Sequence, residues 1–524
     1  MCRLYFLSGF ALQQPYGGIF MGNYHTKLTT PLLRLGKKDI WTLSDAYRGT
    51  AIFGGTGSGK TSGSGQSLAH AFLKAGMGGL VLCAKPDEAE LWVKYAKACG
   101  REKSIVLFRP DTGTRFNFLE YEMTVGSGGV NNVVELLLKV IEMSKRQLMG
   151  SNENQFWDDA IRELLRNTLN PLFHAYGRID LDQVMQMINS GPRSAMEYSD
   201  PVWKQHSFCA QTLEKLATSP AHQMDSRSMW VIRNYWESVF GPADTKTREN
   251  IRISFTSKMA LLFTGQEHEL LCTSTNVVPE MTHEGAIWIV DMPAQIWSDV
   301  GILIQKICKY MWQRATQRRP KTGKERPVFL WCDEAHVFVD EYDEDFQSMA
   351  RSSSVCSVYL SQGIDGYIKK IGGSNAREIC DSLLGHFQTK IFHSNSSSST
   401  NEWAADLIGK SIQVRRGVNY GENEGYSESH SRGRSVNEQE QRASFWGRGN
   451  RSKNKDRGSQ VGSSYSESMN EALEYEIEPG AFGRDLASGG PHHNFMVDGI
   501  FYQTGTMFRS VKKNWLKTRF PQRI

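Results

Sequence analysis

Residues 49–64 read Gly-Thr-Ala-Ile-Phe-Gly-Gly-Thr-Gly-Ser-Gly-Lys-Thr-Ser-Gly-Ser, and this stretch decides the fold. A short β-prone run, Thr50 to Phe53, feeds Gly54-Gly55-Thr56-Gly57-Ser58-Gly59-Lys60-Thr61, which matches G-x-x-x-x-G-K-[ST] at every fixed position. An amphipathic stretch with Leu68, Phe72 and Leu73 follows, so the expected unit is strand, phosphate loop, helix. The chemistry explains the residue types. Glycines let successive backbone N–H groups converge on a β-phosphate, and the N-terminus of the next helix adds partial positive charge. Lys60 is expected to reach the β- and γ-phosphates, and the Thr61 hydroxyl to ligate Mg²⁺, so ATP with Mg²⁺ is the expected cofactor. The bland reading is a glycine-rich loop that matches by chance; the strand before it and the helix after it count against that.

Outward from the loop, strand and helix alternate. Gly78 to Cys83 is a continuous apolar run ending in Ala84-Lys85-Pro86-Asp87, as expected for a buried parallel strand. Glu88 to Ala98 has helical composition, Ser104 to Phe108 reads as another strand, and Asn117-Phe118-Leu119 closes the unit. From about residue 127 to 240 the pattern turns helical without good strands, which reads either as an all-α insertion or as helices covering the sheet. Strand character resumes at Ala286 to Val290, with a helix through Ile302 to Trp312. The fold class that follows is α/β: a mostly parallel sheet with an inserted all-α domain.

A second motif supports the first. Pro327-Val328-Phe329-Leu330-Trp331-Cys332-Asp333-Glu334 is an apolar strand ending in two acids, at the sheet edge where open α/β folds bind ligands. Asp333 is expected to hold Mg²⁺ through its water shell and Glu334 to polarise the water that attacks the γ-phosphate. A solvated Asp-Glu turn is the competing reading. Val355 to Leu360 is a further strand ending in Ser361-Gln362, and Gln362 is placed to contact both γ-phosphate and attacking water. Arg351 is the candidate arginine finger toward a neighbouring subunit, with a solvated surface arginine as the equal alternative and Arg248 as the other candidate.

Composition bounds the rest. With 524 residues the chain has room for two to four domains, and 40% hydrophobic with 22% charged residues is ordinary for a globular protein. The net charge of +5 permits polyanion binding without arguing for it. Nine cysteines are scattered without C-x-x-C pairs, which reads as buried thiols in a reducing compartment, and no metal-binding set is apparent. No run reaches the roughly 18 apolar residues of a spanning helix, so the expectation is a cytoplasmic chain without a transmembrane segment, docked on a membrane partner. Residues 417–470 are Gly/Ser/Asn/Arg/Glu-rich, a loop or long hairpin tip. There Arg432, Arg434, Arg442, Arg448, Arg451, Lys453, Lys455 and Arg457, with Phe445 and Trp446, suit either phosphate contact and base stacking or a solvated linker. Asn494 to Arg509 reads as a final hairpin.

From about residue 45 onward the layout resembles the type IV coupling proteins of conjugative DNA transfer, the TraG/TraD-like branch of the additional-strand ATPases. The resemblance rests on the phosphate loop, Lys85-Pro86-Asp87, Arg115-Phe116-Asn117 and Gln155-Phe156-Trp157-Asp158-Asp159-Ala160. Thr247-Arg248-Glu249-Asn250-Ile251, Asp333-Glu334 followed by Arg351 and Gln362, and Glu478-Pro479-Gly480-Ala481-Phe482 complete it. It implies a RecA-like motor domain carrying an all-α domain, working as a hexameric ring that brings a relaxase–DNA substrate to a type IV secretion channel and uses ATP to drive DNA transfer. It carries over Lys60 and Thr61 as phosphate and Mg²⁺ residues, Asp333 and Glu334 as the acidic pair, Gln362 as sensor and Arg351 as the trans finger. The implied division is a lead-in over 1–48, motor parts over 49–126 and 241–415, an all-α domain over 127–240, the Gly/Ser/Arg-rich segment over 416–470 and a C-terminal β segment over 471–524. A protein-secretion, DNA-packaging or segregation motor, or a nucleotide-switched scaffold with little turnover, stays open.

Overall fold

The computed structural model describes residues 23–125, 129–144, 153–262, 265–422 and 463–522. The chain divides into two units, Met1–Thr400 with Phe482–Ile524, and Asn401–Ala481. The first opens with an antiparallel ribbon of β1 (Pro31–Arg34) and β2 (Ile40–Thr42). A larger sheet then takes β3 (Thr50–Phe53), β4 (Gly78–Leu82), β5 (Ile105–Phe108), β6 (Ile287–Val290), β7 (Val328–Cys332), β8 (Val355–Ser361) and β9 (Thr389–Phe392). These seven run parallel. In the second unit, β10 (Lys410–Glu422) and β11 (Ser463–Tyr475) form a long antiparallel hairpin of their own. The basic and aromatic residues between its arms, from Arg432 to Arg457, lie outside the described residues. Back in the first unit, β12 (Met496–Gln503) and β13 (Trp515–Pro521) add an antiparallel edge, giving the nine-stranded order β13-β12-β9-β3-β8-β7-β4-β6-β5.

Burial explains why these runs are strands. Every residue of β3, β4, β6, β7, β8 and β9 is buried, because crossover helices cover both faces of a parallel sheet. The edge strand β13 instead alternates, with Lys517 and Arg519 exposed, charges that discourage pairing with another chain. One face is an aromatic layer. Trp92, on the helix Glu88–Ala98, stacks on Phe329 at 5.4 Å and meets Trp331 edge-on at 5.2 Å; Phe72, on the helix Gln66–Lys74, lies 5.8 Å from Phe329. Gly79 makes room for that layer, since a Cβ there would sit 2.5 Å from the Phe329 ring.

Between β5 and β6 the described residues hold helices and no strand. Local chemistry writes their starts: the side chains of Asp180, Ser194, Asp200, Ser207, Asp225 and Asp244 each accept a first-turn N–H. Pro171 sits inside the helix Glu153–Tyr176 and cannot bond the carbonyl of Asn167; the Trp236 indole N–H fills that vacancy at 3.0 Å. The buried carboxylate of Glu122 ties this part to the long helix Ala294–Arg318, accepting from Arg314 and Arg318 at 2.9 Å each.

The structure sharpens one expectation and changes another. Asn117-Phe118-Leu119 opens the helix Phe118–Val125, because the Asn117 side chain accepts the Glu120 N–H at 3.1 Å and so caps it. The final hairpin is larger than Asn494 to Arg509: the N–H groups of Arg509 and Ser510 are spent on the Asp39 carboxylate, so the return strand starts only at Trp515.

Below the acidic end of β7 lies a buried ion cluster. The Lys309 ammonium, fully buried, donates to Asp343 and to the Phe338 carbonyl and lies 3.1 Å from Asp340. Gln313 and Tyr359 complete Asp343 at 2.8 and 3.0 Å. Removing one partner of such a pair leaves an uncompensated charge in the interior. Asp343→Ala is therefore expected to cost roughly 3–5 kcal/mol of stability, read as a lowered midpoint of denaturant unfolding followed by tryptophan fluorescence.

Candidate nucleotide site

Adjacent strand ends assemble the site. Strand β8 lies between β3, which leads into the phosphate loop, and β7, which leads into the acids, so Gln362 emerges between the two motifs. The loop is backbone-controlled: Gly57 and Gly59 have φ of 75° and 82°, a region open to glycine, and a Cβ at Gly59 would also lie 2.5 Å from Val497. The following helix begins with one wide turn, the Gly65 N–H bonding the Lys60 carbonyl at 2.8 Å. His393, at the carboxyl end of β9, lies 2.6 Å from the Ser64 hydroxyl and 2.8 Å from the Asp498 carbonyl, so it braces that turn against β12.

Opposite the loop, Glu334 has left-handed backbone angles (φ 48°, ψ 46°), a strained state for a non-glycine residue. Its N–H is held by Asp333 Oδ1 at 2.9 Å, which turns the two carboxylates toward the phosphate loop. Thr61 Oγ1 donates to Asp333 Oδ2 at 2.9 Å. Glu334 Oε1 lies 3.6 Å from Lys60 Nζ, 3.3 Å from Lys85 Nζ and 3.3 Å from Gln362 Nε2. Burial pushes the Glu334 carboxyl up, but Lys60, Lys85 and the Gln362 bond outweigh it and hold the group below its usual pKa, hence ionised.

Lys60, Thr61, Asp333, Glu334 and Gln362 thus converge. Gly54, Gly55, Thr56, Gly57, Ser58 and Gly59 form the loop itself, and Gly55 to Ser58 line a cavity of about 670 Å³ together with His336, Gln362, Asp365 and Asn395. Asn395 steadies Gln362 by donating to its carbonyl at 2.7 Å, while Ser397 and Ser399 hold Asp365 at 2.8 and 2.6 Å. A phosphorylated ligand fits this place: the Ser58 hydroxyl is buried without a hydrogen-bond partner and can donate to a phosphate oxygen. A hydroxyl and a carboxylate brought together at Thr61 and Asp333 are hard oxygen donors of the kind Mg²⁺ takes.

Arg351 is elsewhere. It precedes β8 whereas Gln362 follows it, so on the order of 20 Å of strand separates them. It is exposed and lines a second cavity of about 260 Å³ with Tyr47, Arg48, Gln347, Ser348, His386 and Gln388. Arg248 is buried and committed locally, donating to the carbonyls of Arg193, Gly241 and Ala243. Sequence reasoning left Lys85, Glu88, His336, His393 and Asn395 without roles. Lys85 was legible as a polar residue at the end of an apolar strand; the others depend on loops whose paths only the fold sets. Glu88 is buried and its pKa is pushed up to about 8 by that burial and by Asp333.

No family model and no curated protein matches this sequence. Solved structures do. The unbound monoclinic form of the bacterial conjugative coupling protein TrwB superposes with a TM-score of 0.57 at 12% identity, over 94% of this chain and 91% of that one. The complex of the plasmid coupling protein TrwB with a non-hydrolysable ATP analogue gives 0.55 at 12%, over 97% and 98%. Its complex with ADP and Mg²⁺ gives 0.54 at 11%, over 96% and 94%. The chain has the coupling-protein fold. Among the described residues no helix is long and apolar enough to cross a membrane.

Burial lowers the pKa of His393 to about 4, so the ring is neutral in the folded state. Unfolded, it takes a proton near pH 6.5, so its contribution is complete above that value and is lost as pH falls toward 4. Between pH 7 and pH 4 the wild type is expected to lose about 3 kcal/mol of stability from this group alone. His393→Asn, compared by unfolding at each pH, should lack that component of the slope.

Proposed function

We propose that the chain, on its coupling-protein fold, is an ATP-driven DNA translocase that delivers a relaxase–DNA substrate to a type IV secretion channel. The observation that carries the reading is the meeting of Lys60, Thr61, Asp333, Glu334 and Gln362 at one sheet edge. A binding scaffold needs the phosphate loop and has no use for a strained, ionised glutamate facing it. Lys60 turns from Glu334 to the phosphates when ATP enters, freeing the carboxylate to orient the attacking water. Thr61, and Asp333 through water, would hold Mg²⁺, which would neutralise charge at the phosphates. Gln362, whose side chain touches Glu334, senses the γ-phosphate and passes its presence to Asn395.

Arg351 fits this scheme as a residue acting in trans. It is exposed and a strand's length from its own site, which supports action on a neighbour's nucleotide in a homo-hexameric ring. DNA, a relaxase and the secretion channel are the partners, with attachment at the inner membrane through them.

Purified protein should hydrolyse ATP faster with single-stranded DNA, and Glu334→Gln should lower turnover by about 10²–10⁴-fold while nucleotide still binds. Mixing Lys60→Ala with Arg351→Ala subunits should restore part of the activity that each lacks alone, because mixed interfaces pair an intact Lys60 with an intact Arg351. Background turnover in every oligomeric and DNA-bound preparation would favour the nucleotide-switched scaffold.

A further inference from the structure

Among the described residues, Lys85 is the lysine at the acidic cluster that has no place in the phosphate loop. It lies three residues past the end of β4, the sheet neighbour of β7, and its ammonium lies 3.3 Å from Glu334 Oε1, 3.8 Å from Asp333 Oδ2 and 4.0 Å from Glu88 Oε1. Its side chain is 38% exposed, so it is not a core element whose loss should unfold the sheet. Glu334 Oε1 has three described partners: Lys85 and Gln362 donate hydrogen bonds to it, and the Lys60 ammonium forms an ion pair at 3.6 Å. In the scheme above, nucleotide draws Lys60 and Gln362 toward the phosphates. Among the described residues the Lys85 ammonium pairs with carboxylates alone, and it stays behind.

We propose that Lys85 is a positioning residue that takes over Glu334 when Lys60 transfers to the nucleotide, an exchange of ion pairs that keeps the carboxylate oriented throughout. The inference rests on the site being a nucleotide site. Two consequences follow. In the empty protein Lys85 shares the load of Glu334 and so leaves Lys60 available; in the loaded protein it holds the carboxylate at the water. Without Lys85, Glu334 would grip Lys60 alone and compete with the incoming phosphates. That competition distinguishes it from a lysine that merely adds positive charge near them, because it vanishes once Glu334 is neutral.

The test is a double-mutant cycle on binding of a non-hydrolysable ATP analogue with Mg²⁺, in the wild type, Lys85→Met, Glu334→Gln and the double variant. Lys85→Met is expected to weaken binding about tenfold beside Glu334 and by less than about twofold beside Gln at that position. Equal weakening in both backgrounds, or none in either, overturns the exchange. Turnover at saturating ATP should fall about tenfold or more in Lys85→Met and return largely in Lys85→Arg, which keeps the charge; turnover unchanged in Lys85→Met also overturns it. The two readings fail separately. Coupling in the binding cycle without turnover in the wild type would sink the motor and leave Lys85 in its role, whereas turnover without coupling would do the reverse.

Discussion

The structure turns on a charge constraint at the end of one buried strand. Strand β7 delivers Asp333 and Glu334, with Glu88 beside them, into surroundings where all three are largely buried. Carboxylates so placed need cations or protons. Lys60 and Lys85 meet that need, and the raised pKa of Glu88 shows that compensation is incomplete. A phosphate loop brought alongside therefore does two things at once: it carries the lysine that balances the acids, and it is where a phosphate would compete for that lysine.

Sheet order makes this possible. With β8 between β3 and β7, the phosphate loop and the acids are separated by one strand, close enough for Thr61 to reach Asp333, and Gln362 fills the gap. The aromatic layer of Phe72, Trp92, Phe329 and Trp331 locks the helix after the loop to the strand that bears the acids. Beyond the acids, Lys309 pins Phe338, Asp340 and Asp343, so the segment from Glu334 to the helix Tyr342–Ala350 is held at both ends. That helix leads directly to Arg351 and β8.

Much of the site was legible because its residues lie at strand ends, and strand ends are where an apolar run stops. The phosphate loop and Asp333-Glu334 follow such runs, and the helix Glu88–Ala98 was read with the bounds it has. Asn117-Phe118-Leu119 was read only as closing the first α/β unit, because two apolar residues carry no period; the Asn117 cap bond to Glu120 makes it the start of a helix. The end of the chain was misread for a related reason. Asp39, far away in sequence, takes the backbone groups that an ordinary hairpin would pair.

By itself the sequence determined the chemical inventory and its local geometry: a loop that only glycines can form, two acids after a buried strand, and helix caps written in Asp and Ser. These depend on neighbours within a few residues, where backbone sterics and short hydrogen bonds act. The tertiary structure alone decided which strand lies between which, that Lys85 joins Lys60 on one carboxylate, that His393 braces the phosphate-loop helix, and that Arg351 faces away from its own site. Each of these is a contact between segments distant in the chain, set by how the sheet is ordered and covered, and no local pattern encodes a distance across a sheet.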